Sequence, residues 1–340
     1  MPMPIPSQMN HISFSAPGGP EVLHLATAQV PQPRPGELLI HVEAAGVNRP
    51  DVLQRSGQYP VPPGASPCLG LEVAGEIVAL GAGAEGFKVG DKVCALTNGG
   101  GYATYATVPA TQALPWPKGY DAIRAAALPE TFFTVWANLF QMGRLKAGET
   151  LLLHGGASGI GTTATQLARE FGARPWVTVG SEAKREACIA LGAELVINHR
   201  EQDFQQVIAE HTQGRGVDVI LDIMGAAYFA RNLASLAQDG RLLLLAFLGG
   251  ALVKDFNLAQ IMMRRLSITG SAMRSRTTQE KAAIALDLKT KVWPVLDAGR
   301  CAPVIHAVFP LSKAADAHRL MESSDHIGKI ILQVNSAELA

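Results

Sequence analysis

The residues of this 340-residue chain whose types and spacing best suit chemistry form a glycine turn, His154-Gly155-Gly156-Ala157-Ser158-Gly159-Ile160-Gly161. It follows the apolar run Leu151-Leu152-Leu153 and precedes a helical stretch that places Ile160, Ala164, Leu167, Ala168 and Phe171 on one face. A turn of this kind between a strand and a helix lets backbone N–H groups and the positive end of the helix meet a phosphate. Gly156 is expected to make the tight turn, and Gly161 to let the helix pack closely on the strand. Ser158 stands at the middle glycine position, where its small side chain still admits a pyrophosphate and its hydroxyl can bond a phosphate oxygen. The end of the second strand supplies another discriminator, because an acidic residue there would accept from a ribose 2′-OH. Val179-Gly180-Ser181-Glu182-Ala183-Lys184-Arg185 has glycine in that place, followed by a hydroxyl and a lysine that suit a 2′-phosphate, so NADP is expected rather than NAD. Glu182 is the contrary sign and is read as a solvent-facing residue. The plain reading of Lys184 and Arg185 is an exposed helix face.

Other chemistries are poorly supported. Cys68, Cys94, Cys188 and Cys301 lie far apart with no CxxC spacing, which argues against a disulfide framework and a structural zinc, and points to a reducing cytoplasm. Arg264, Arg265, Arg274 and Arg276 form the one basic cluster, without the interleaved aromatics of an RNA-stacking surface. His154 is read as a packed strand-end residue.

The elements that must position the turn follow from periodicity. From Thr150 onward apolar strands alternate with helices: Trp176–Val179, Leu195–Ile197, Val217–Leu221 and Leu242–Ala246 are expected strands, and Gly172, Gly192 and Gly240 expected helix stops, with Ser181 as an N-cap. Continuous apolar strands separated by helices mean a parallel sheet covered on both faces, a doubly wound Rossmann domain over residues 131–275. The first third reads instead as short strands and turns, with Leu38–Val42 and Glu76–Leu80 as strands, a proline- and glycine-rich loop from Gly57 to Gly70, and the run Gly99–Gly101. Thr131–Met142 reads as a buried connecting helix. A long helix (Thr277–Leu296) and a last strand (Lys329–Val334) are expected to return to the first domain, which then comprises residues 1–130 and 276–340.

Composition agrees. Lys+Arg and Asp+Glu both number 29, so no whole-molecule field attracts nucleic acid or an anionic membrane. With 48% hydrophobic and 17% charged residues the chain has enough apolar surface to fold. No stretch approaches the roughly 20 continuous apolar residues of a membrane span. Met1–Gln8 is expected to be a disordered extension, with Met9 as the natural start.

Several motifs occur in order along the chain: Gly46-Val47-Asn48-Arg49-Pro50-Asp51, Gly57-Gln58-Tyr59, Gly70-Leu71-Glu72-Val73-Ala74-Gly75, Val89-Gly90-Asp91-Lys92-Val93, Leu128-Pro129-Glu130, the glycine turn, and Gly328-Lys329-Ile330-Ile331-Leu332. In these the chain resembles the zinc-free quinone oxidoreductases of the medium-chain dehydrogenase/reductase superfamily from His11 to Val334, and most resembles the branch induced by a tumour-suppressor pathway. The resemblance implies an α/β fold with a GroES-like, β-rich catalytic domain beside the Rossmann cofactor domain. It also implies a homodimer through the cofactor domains, with a tetramer as the alternative. Zinc-dependent members carry a cysteine where this chain has Asn48 and a histidine where it has Leu71, so no catalytic metal is expected, and Cys68 and Cys94 become small buried residues.

The expected activity is NADPH-dependent reduction of a small-molecule quinone or enone. Hydride addition to a quinone gives an anion whose charge is delocalised, so one or two neutral hydrogen-bond donors suffice in place of a Lewis acid. Asn48 and Tyr59 are the expected donors; their plain readings are a turn residue and a loop anchor. For the cofactor the resemblance implies Ser158, Gly159, Ile160 and Gly161 at the pyrophosphate, Gly180, Ser181 and Lys184 at the 2′-phosphate, and His199 at the adenine-side ribose phosphate. Phe247, Leu248, Gly249, Ser271, Ala272, Met273 and Thr134 are expected near the nicotinamide. Reduction of an α,β-unsaturated carbonyl or enoyl thioester is the enzymatic alternative. A non-catalytic NADPH-binding protein, crystallin-like or RNA-binding, is the third reading.

Overall fold

The computed structural model describes residues 4–334, which form two compact units: Thr134–Met273, and the described residues up to Phe133 together with those from Arg274 on.

Thr134–Met273 is built on a six-stranded, wholly parallel sheet. Its spatial order is Leu195–Asn198, Arg174–Val179, Thr150–His154, Val217–Asp222, Leu236–Leu244, Ser267–Gly270. The central strand is buried from Thr150 to His154, as a strand covered on both faces must be. Leu152, Trp176, Ile197, Ile220, Leu233 and Leu242 share one core cluster. The helices Gly159–Glu170 and Glu182–Ala190 end where expected, with Gly172 at φ 78° and Gly192 at φ 97°, left-handed positions that close a helix without a Cβ penalty. The stop expected at Gly240 is a correction. The helix Ala226–Ser235 ends earlier, and Gly240 lies inside the strand Leu236–Leu244. There the register slips between Val217↔Leu236 and Val219↔Arg241, Asp239 turns to φ 63°, and a Cβ on Gly240 would stand 2.8 Å from the Ala237 carbonyl oxygen. The glycine serves a bulge. The connecting helix runs as α-helix over Pro129–Val135 and continues as π-helix over Trp136–Met142.

The other unit has a mixed sheet in the order Ile305–Pro310, Lys329–Gln333, Glu37–Val47, Glu72–Leu80, Lys92–Leu96, Ala113–Pro115, with Tyr105–Pro109 also pairing on Glu37–Val47. The closing strand runs antiparallel to Glu37–Val47, with Ile330 opposite Val47 and Gln333 opposite Ala44. Leu38, Ile40, Val42, Val73, Ile77, Val93, Ile330 and Leu332 meet in its core. The expected long helix is two, Thr278–Lys291 and Trp293–Asp297, because Pro294 cannot continue the first. Strand Gln8–Ser13 pairs with His24–Gln29, and the Ser7 carbonyl accepts from Val30 N–H at 3.1 Å. The expected disordered extension is therefore corrected at Ser7 and Gln8; residues 1–3 lie outside the described residues. Among the described residues no helix is long and apolar enough to cross a membrane.

Candidate functional site

In the parallel-sheet unit the expected residues gather at the carboxyl ends of the strands. Ser158 caps the helix Gly159–Glu170, its Oγ accepting from Gly161 N–H at 3.0 Å. The N–H groups of Gly159 and Ile160 stand in the first turn, where a helix has no acceptor of its own. Gly155 makes the tight turn, with φ 74°, which corrects the assignment to Gly156. Gly156 is needed for contact instead: a Cβ there would lie 2.5 Å from Val177 Cβ. A Cβ on Gly161 would lie 2.4 Å from the carbonyl oxygens of both Gly155 and Gly156, so helix and turn touch through backbone. Such a turn fits a pyrophosphate, whose oxygens need backbone donors and the helix dipole.

At the end of the second strand a Cβ on Gly180 would meet His199 Nε2 at 3.1 Å and Arg200 Nε at 3.4 Å. Burial, then Arg200, then Lys184 hold the His199 imidazole below its ordinary value, so three basic groups share this corner. Glu182 pairs with Arg185 at 2.8 Å on the exposed face. Arg200 was not anticipated from the sequence. The parallel pairing of Asn198 with Val179 brings the residues after each strand side by side, and that register was the signal available.

Thr134 and Ser271 meet through Asn138, another residue the sequence reading missed. Asn138 Nδ2 donates to the Thr134 carbonyl at 2.8 Å, and Ser271 Oγ donates to Asn138 Oδ1 at 3.0 Å. The segment Phe247–Gly249 lies along the turn after Val217–Asp222, Leu248 N–H donating to the Ile223 carbonyl and Gly249 N–H to that of Met224. Phe247 and Leu248 are half exposed, and Met273 is buried.

His154 is a packed residue, as expected. Its Nε2 lies 2.7 Å from Asn232 Oδ1 and its Nδ1 3.0 Å from Thr178 Oγ1, while Phe204 and Tyr228 stand edge-on to the ring. Burial pushes it down to about 4, with the Asn232 bond opposing. The folded state keeps this ring neutral where an unfolded histidine binds a proton, so between the ordinary value of 6.5 and about 4 the unfolded state holds more protons. Stability then rises with pH through that window and is lost on acidification, by about 3 kcal/mol between pH 7 and pH 4 from this group. Urea unfolding at stepped pH is expected to show a shallower acid slope in His154→Gln than in the parent.

The other unit centres on buried charge. Glu72 is fully buried and Lys329 and Asn48 nearly so. Lys329 Nζ donates to Glu72 Oε1 at 2.6 Å, Asn48 Oδ1 at 2.7 Å and the Val47 carbonyl at 3.2 Å. Asn48 Nδ2 donates to Glu72 Oε1 at 2.8 Å, and Glu130 N–H to Glu72 Oε2 at 2.8 Å. Asn48 also opens the helix Arg49–Arg55 in a capping box with Asp51. The expected outward donor role of Asn48 is therefore corrected, since its amide is bound on both sides within the protein.

Asp51 accepts from Asn48 N–H at 2.8 Å, Gly70 N–H at 3.0 Å and Tyr102 Oη at 3.2 Å. Burial pushes it up to about 6 in spite of these donors and of Lys329. Burial and then Glu72 push Glu130 up to about 7. The guanidinium of Arg55 stands 3.3 Å from His318 Nδ1, which leaves Nε2–H to face Tyr102 Oη at 3.1 Å. Tyr59 differs from Asn48: its hydroxyl has no hydrogen-bond partner among the described residues, and the Arg274 guanidinium lies 5.5 Å from its ring centroid. Burial, Glu130 and Asp51 hold the Tyr59 phenol above its ordinary value, against Arg274.

Residues 34–118 match the family described as the alcohol dehydrogenase GroES-like domain, and residues 159–289 the family described as zinc-binding dehydrogenase. The quinone oxidoreductase of Rattus norvegicus is 35% identical over 93% of this chain and 94% of its own. The Escherichia coli quinone oxidoreductase solved in complex with NADPH superimposes at TM-score 0.84, with 29% identity over 95% of this chain and 99% of that one. The CurK enoyl reductase superimposes at TM-score 0.86, with 27% identity over 97% of this chain and all of the other. The zinc in one family description is not matched by the donor set. Residues 48 and 71 are an amide and a buried leucine, Glu72 is neutralised by an ammonium at 2.6 Å, and burial raises the thiols of Cys68 and Cys94. Among the described residues no three His, Cys, Asp or Glu stand together as a metal site.

Proposed function

The chain belongs to the medium-chain dehydrogenase/reductase superfamily, as its full-length quinone oxidoreductase relatives do, and from that premise we propose that it is an NADPH-dependent quinone oxidoreductase working without zinc. The observation that carries the reading is the donor set of the GroES-like unit. It offers the Tyr59 hydroxyl, while Asn48 and Leu71 leave Glu72 to a protein-borne ammonium. NADPH supplies a hydride from its nicotinamide. The turn Ser158–Gly161 holds the pyrophosphate through the N–H groups of Gly159 and Ile160, and Gly180, Ser181, Lys184 and His199, joined by Arg200, take the 2′-phosphate end. Thr134, Ser271, Ala272 and Met273, with Phe247–Gly249, border the nicotinamide. Tyr59 donates to the quinone oxygen that gains charge; a neutral phenol is enough because that charge spreads over an aromatic ring. Asn48 acts at one remove, holding Glu72 and Lys329.

The polarity of the second-strand corner supports NADPH over NADH. Lys184→Ala and Arg200→Ala are each expected to raise the NADPH KM about tenfold, the scale of one lost charge-assisted bond, and to leave the NADH KM within about twofold. Steady-state kinetics with both cofactors check this.

A homodimer through the parallel-sheet unit is part of the proposal. Ser267–Gly270 is an edge strand, and Leu258, Met262 and Met263 near it are exposed. Among the described residues Cys68, Cys94, Cys188 and Cys301 form no disulfide, which suits the reducing cytoplasm. A second reading, enone or enoyl reduction, is favoured by the likeness to the CurK enoyl reductase. Steady-state assays with 1,2-naphthoquinone, an enone and a primary alcohol decide between them. Fast NADPH oxidation with the quinone is the expected result, faster turnover of the enone would favour the second reading, and chelator-sensitive alcohol oxidation would overturn the zinc-free account.

A further inference from the structure

Arg274 is a buried cation that makes no ion-pair contact with a carboxylate among the described residues. It is 6% exposed. Its Nη1 donates to Gln54 Oε1 at 2.7 Å and its Nη2 to the Asn98 carbonyl at 3.0 Å, both neutral acceptors. Its Nε is buried with no hydrogen-bond partner among the described residues. Beside it Lys281, fully buried, donates to Asn98 Oδ1 at 2.6 Å and to the Arg274 carbonyl at 3.3 Å. Burying two neighbouring cations on neutral hydrogen-bond acceptors costs stability, which the attraction of Glu130 for both and of Asp51 for Arg274 offsets in part. The direction in which the guanidinium faces gives the arrangement a further use. Arg274 Cζ stands 5.5 Å from the ring centroid of Tyr59, within cation–π range.

Tyr59 is thus surrounded by unlike charges. Glu130 and Asp51 favour its neutral phenol, and Arg274 favours the form in which the oxygen bears charge. Gln54 lies on the helix Arg49–Arg55 and Asn98 on the loop before Gly99–Gly101, so Arg274 ties both to the ring.

We propose that Arg274 is a positioning residue for the reduction: anchored on Gln54 and Asn98, it clamps the Tyr59 ring and makes the Tyr59 hydroxyl a stronger donor to an oxygen gaining negative charge. The inference rests on the reading of Tyr59 as the donor. In the step it serves, the hydride adds to the quinone and the displaced π electron pair moves onto a carbonyl oxygen. Tyr59 O–H bonds to that oxyanion, and a proton from solvent completes the hydroquinone.

The test pairs a titration with kinetics. Phenolate absorbance is followed against pH in the parent, Arg274→Met and Arg274→Lys, each compared with the same protein carrying Tyr59→Phe, so that Tyr59 is isolated from the other tyrosines. Arg274→Met is expected to move Tyr59 ionisation to higher pH and to lower kcat for 1,2-naphthoquinone about tenfold, within the range of a desolvated cation–π contact, with KM little changed. Arg274→Lys is expected to restore the ionisation and part of kcat. In the Tyr59→Phe background Arg274→Met is expected to cost no further kcat. An unchanged Tyr59 titration, or an equal loss of kcat in the Tyr59→Phe background, overturns the proposal. If Arg274→Met does not fold, Gln54→Leu, which removes one tether, is expected to shift the titration in the same direction, and no shift counts against it. The titration needs no turnover, so a protein that fails to reduce quinones refutes the functional reading without deciding the effect of Arg274 on Tyr59.

Discussion

Lys329→Met is expected to destabilise the GroES-like unit by about 3–5 kcal/mol, the usual cost of leaving one member of a buried ion pair without the other. Glu72 has no exposed surface, and Lys329 is the ammonium in contact with it. Without Lys329 the carboxylate keeps two donors, the amide of Asn48 and the N–H of Glu130, which solvate it but do not neutralise it. The variant must bury a bare charge or take up a proton. Asn48 loses a partner as well, because Lys329 holds its Oδ1. The loss is therefore expected to reach the start of the helix Arg49–Arg55, and with it the segment that carries Tyr59. The double variant Glu72→Gln/Lys329→Met is expected to recover most of the stability, since a neutral amide can still accept from Glu130 N–H. Denaturant unfolding of parent, single and double variants checks this. A single variant within about 1 kcal/mol of the parent would show that water reaches Glu72 and that the pair is not truly desolvated.

The largest kinetic effect is expected at Tyr59. Tyr59→Phe removes one hydroxyl and keeps the ring over which Arg274 sits, so it isolates the hydrogen bond. Loss of a single donor to a developing oxyanion lowers kcat by about 10²–10³ in other enzymes, and a fall toward that range with an almost unchanged KM is expected here. Charge delocalised in the hydroquinone anion sets the expectation at the lower end. A retained kcat with a raised KM would mean that the hydroxyl binds quinone and transition state alike, and would remove Tyr59 from the chemistry.

The parallel-sheet unit was legible in the sequence because its signals are local. A strand buried on both faces is a run of apolar residues, and a helix that ends on a left-handed residue shows a glycine, as Gly172 and Gly192 do. Gly240 misled for the same reason. A glycine needed by a bulge looks like one that stops a helix until the register of the neighbouring strand is known. The moves from Gly156 to Gly155 for the tight turn and the addition of Arg200 to the basic corner likewise depend on register, which no single segment contains.

Little of the charge network around Asn48 was readable. Asn48 and Tyr59 were found by resemblance, but what separates them is contact with residues far along the chain. Lys329 lies 281 positions from Asn48, and Arg274 lies 220 from Gln54. Nothing local in the sequence announces that Lys281 and Lys329 will be buried. The fold also uses Pro294 to divide the expected single helix Thr277–Leu296 into two, a local signal that the single-helix reading passed over.

The pairing of Glu72 with Lys329 across 257 positions has a consequence for biosynthesis. As the chain leaves the ribosome, Glu72 emerges 257 residues ahead of its countercharge. The sheet around Glu72 therefore has to wait for the strand Lys329–Gln333, while Thr134–Met273 has all its strands in hand much sooner. A chain cut short before Lys329 can hold every strand of the parallel sheet, while the β unit lacks both its closing strand and the ammonium that meets Glu72. Truncation ahead of the closing strand is therefore expected to leave the β unit open to chaperones and proteases.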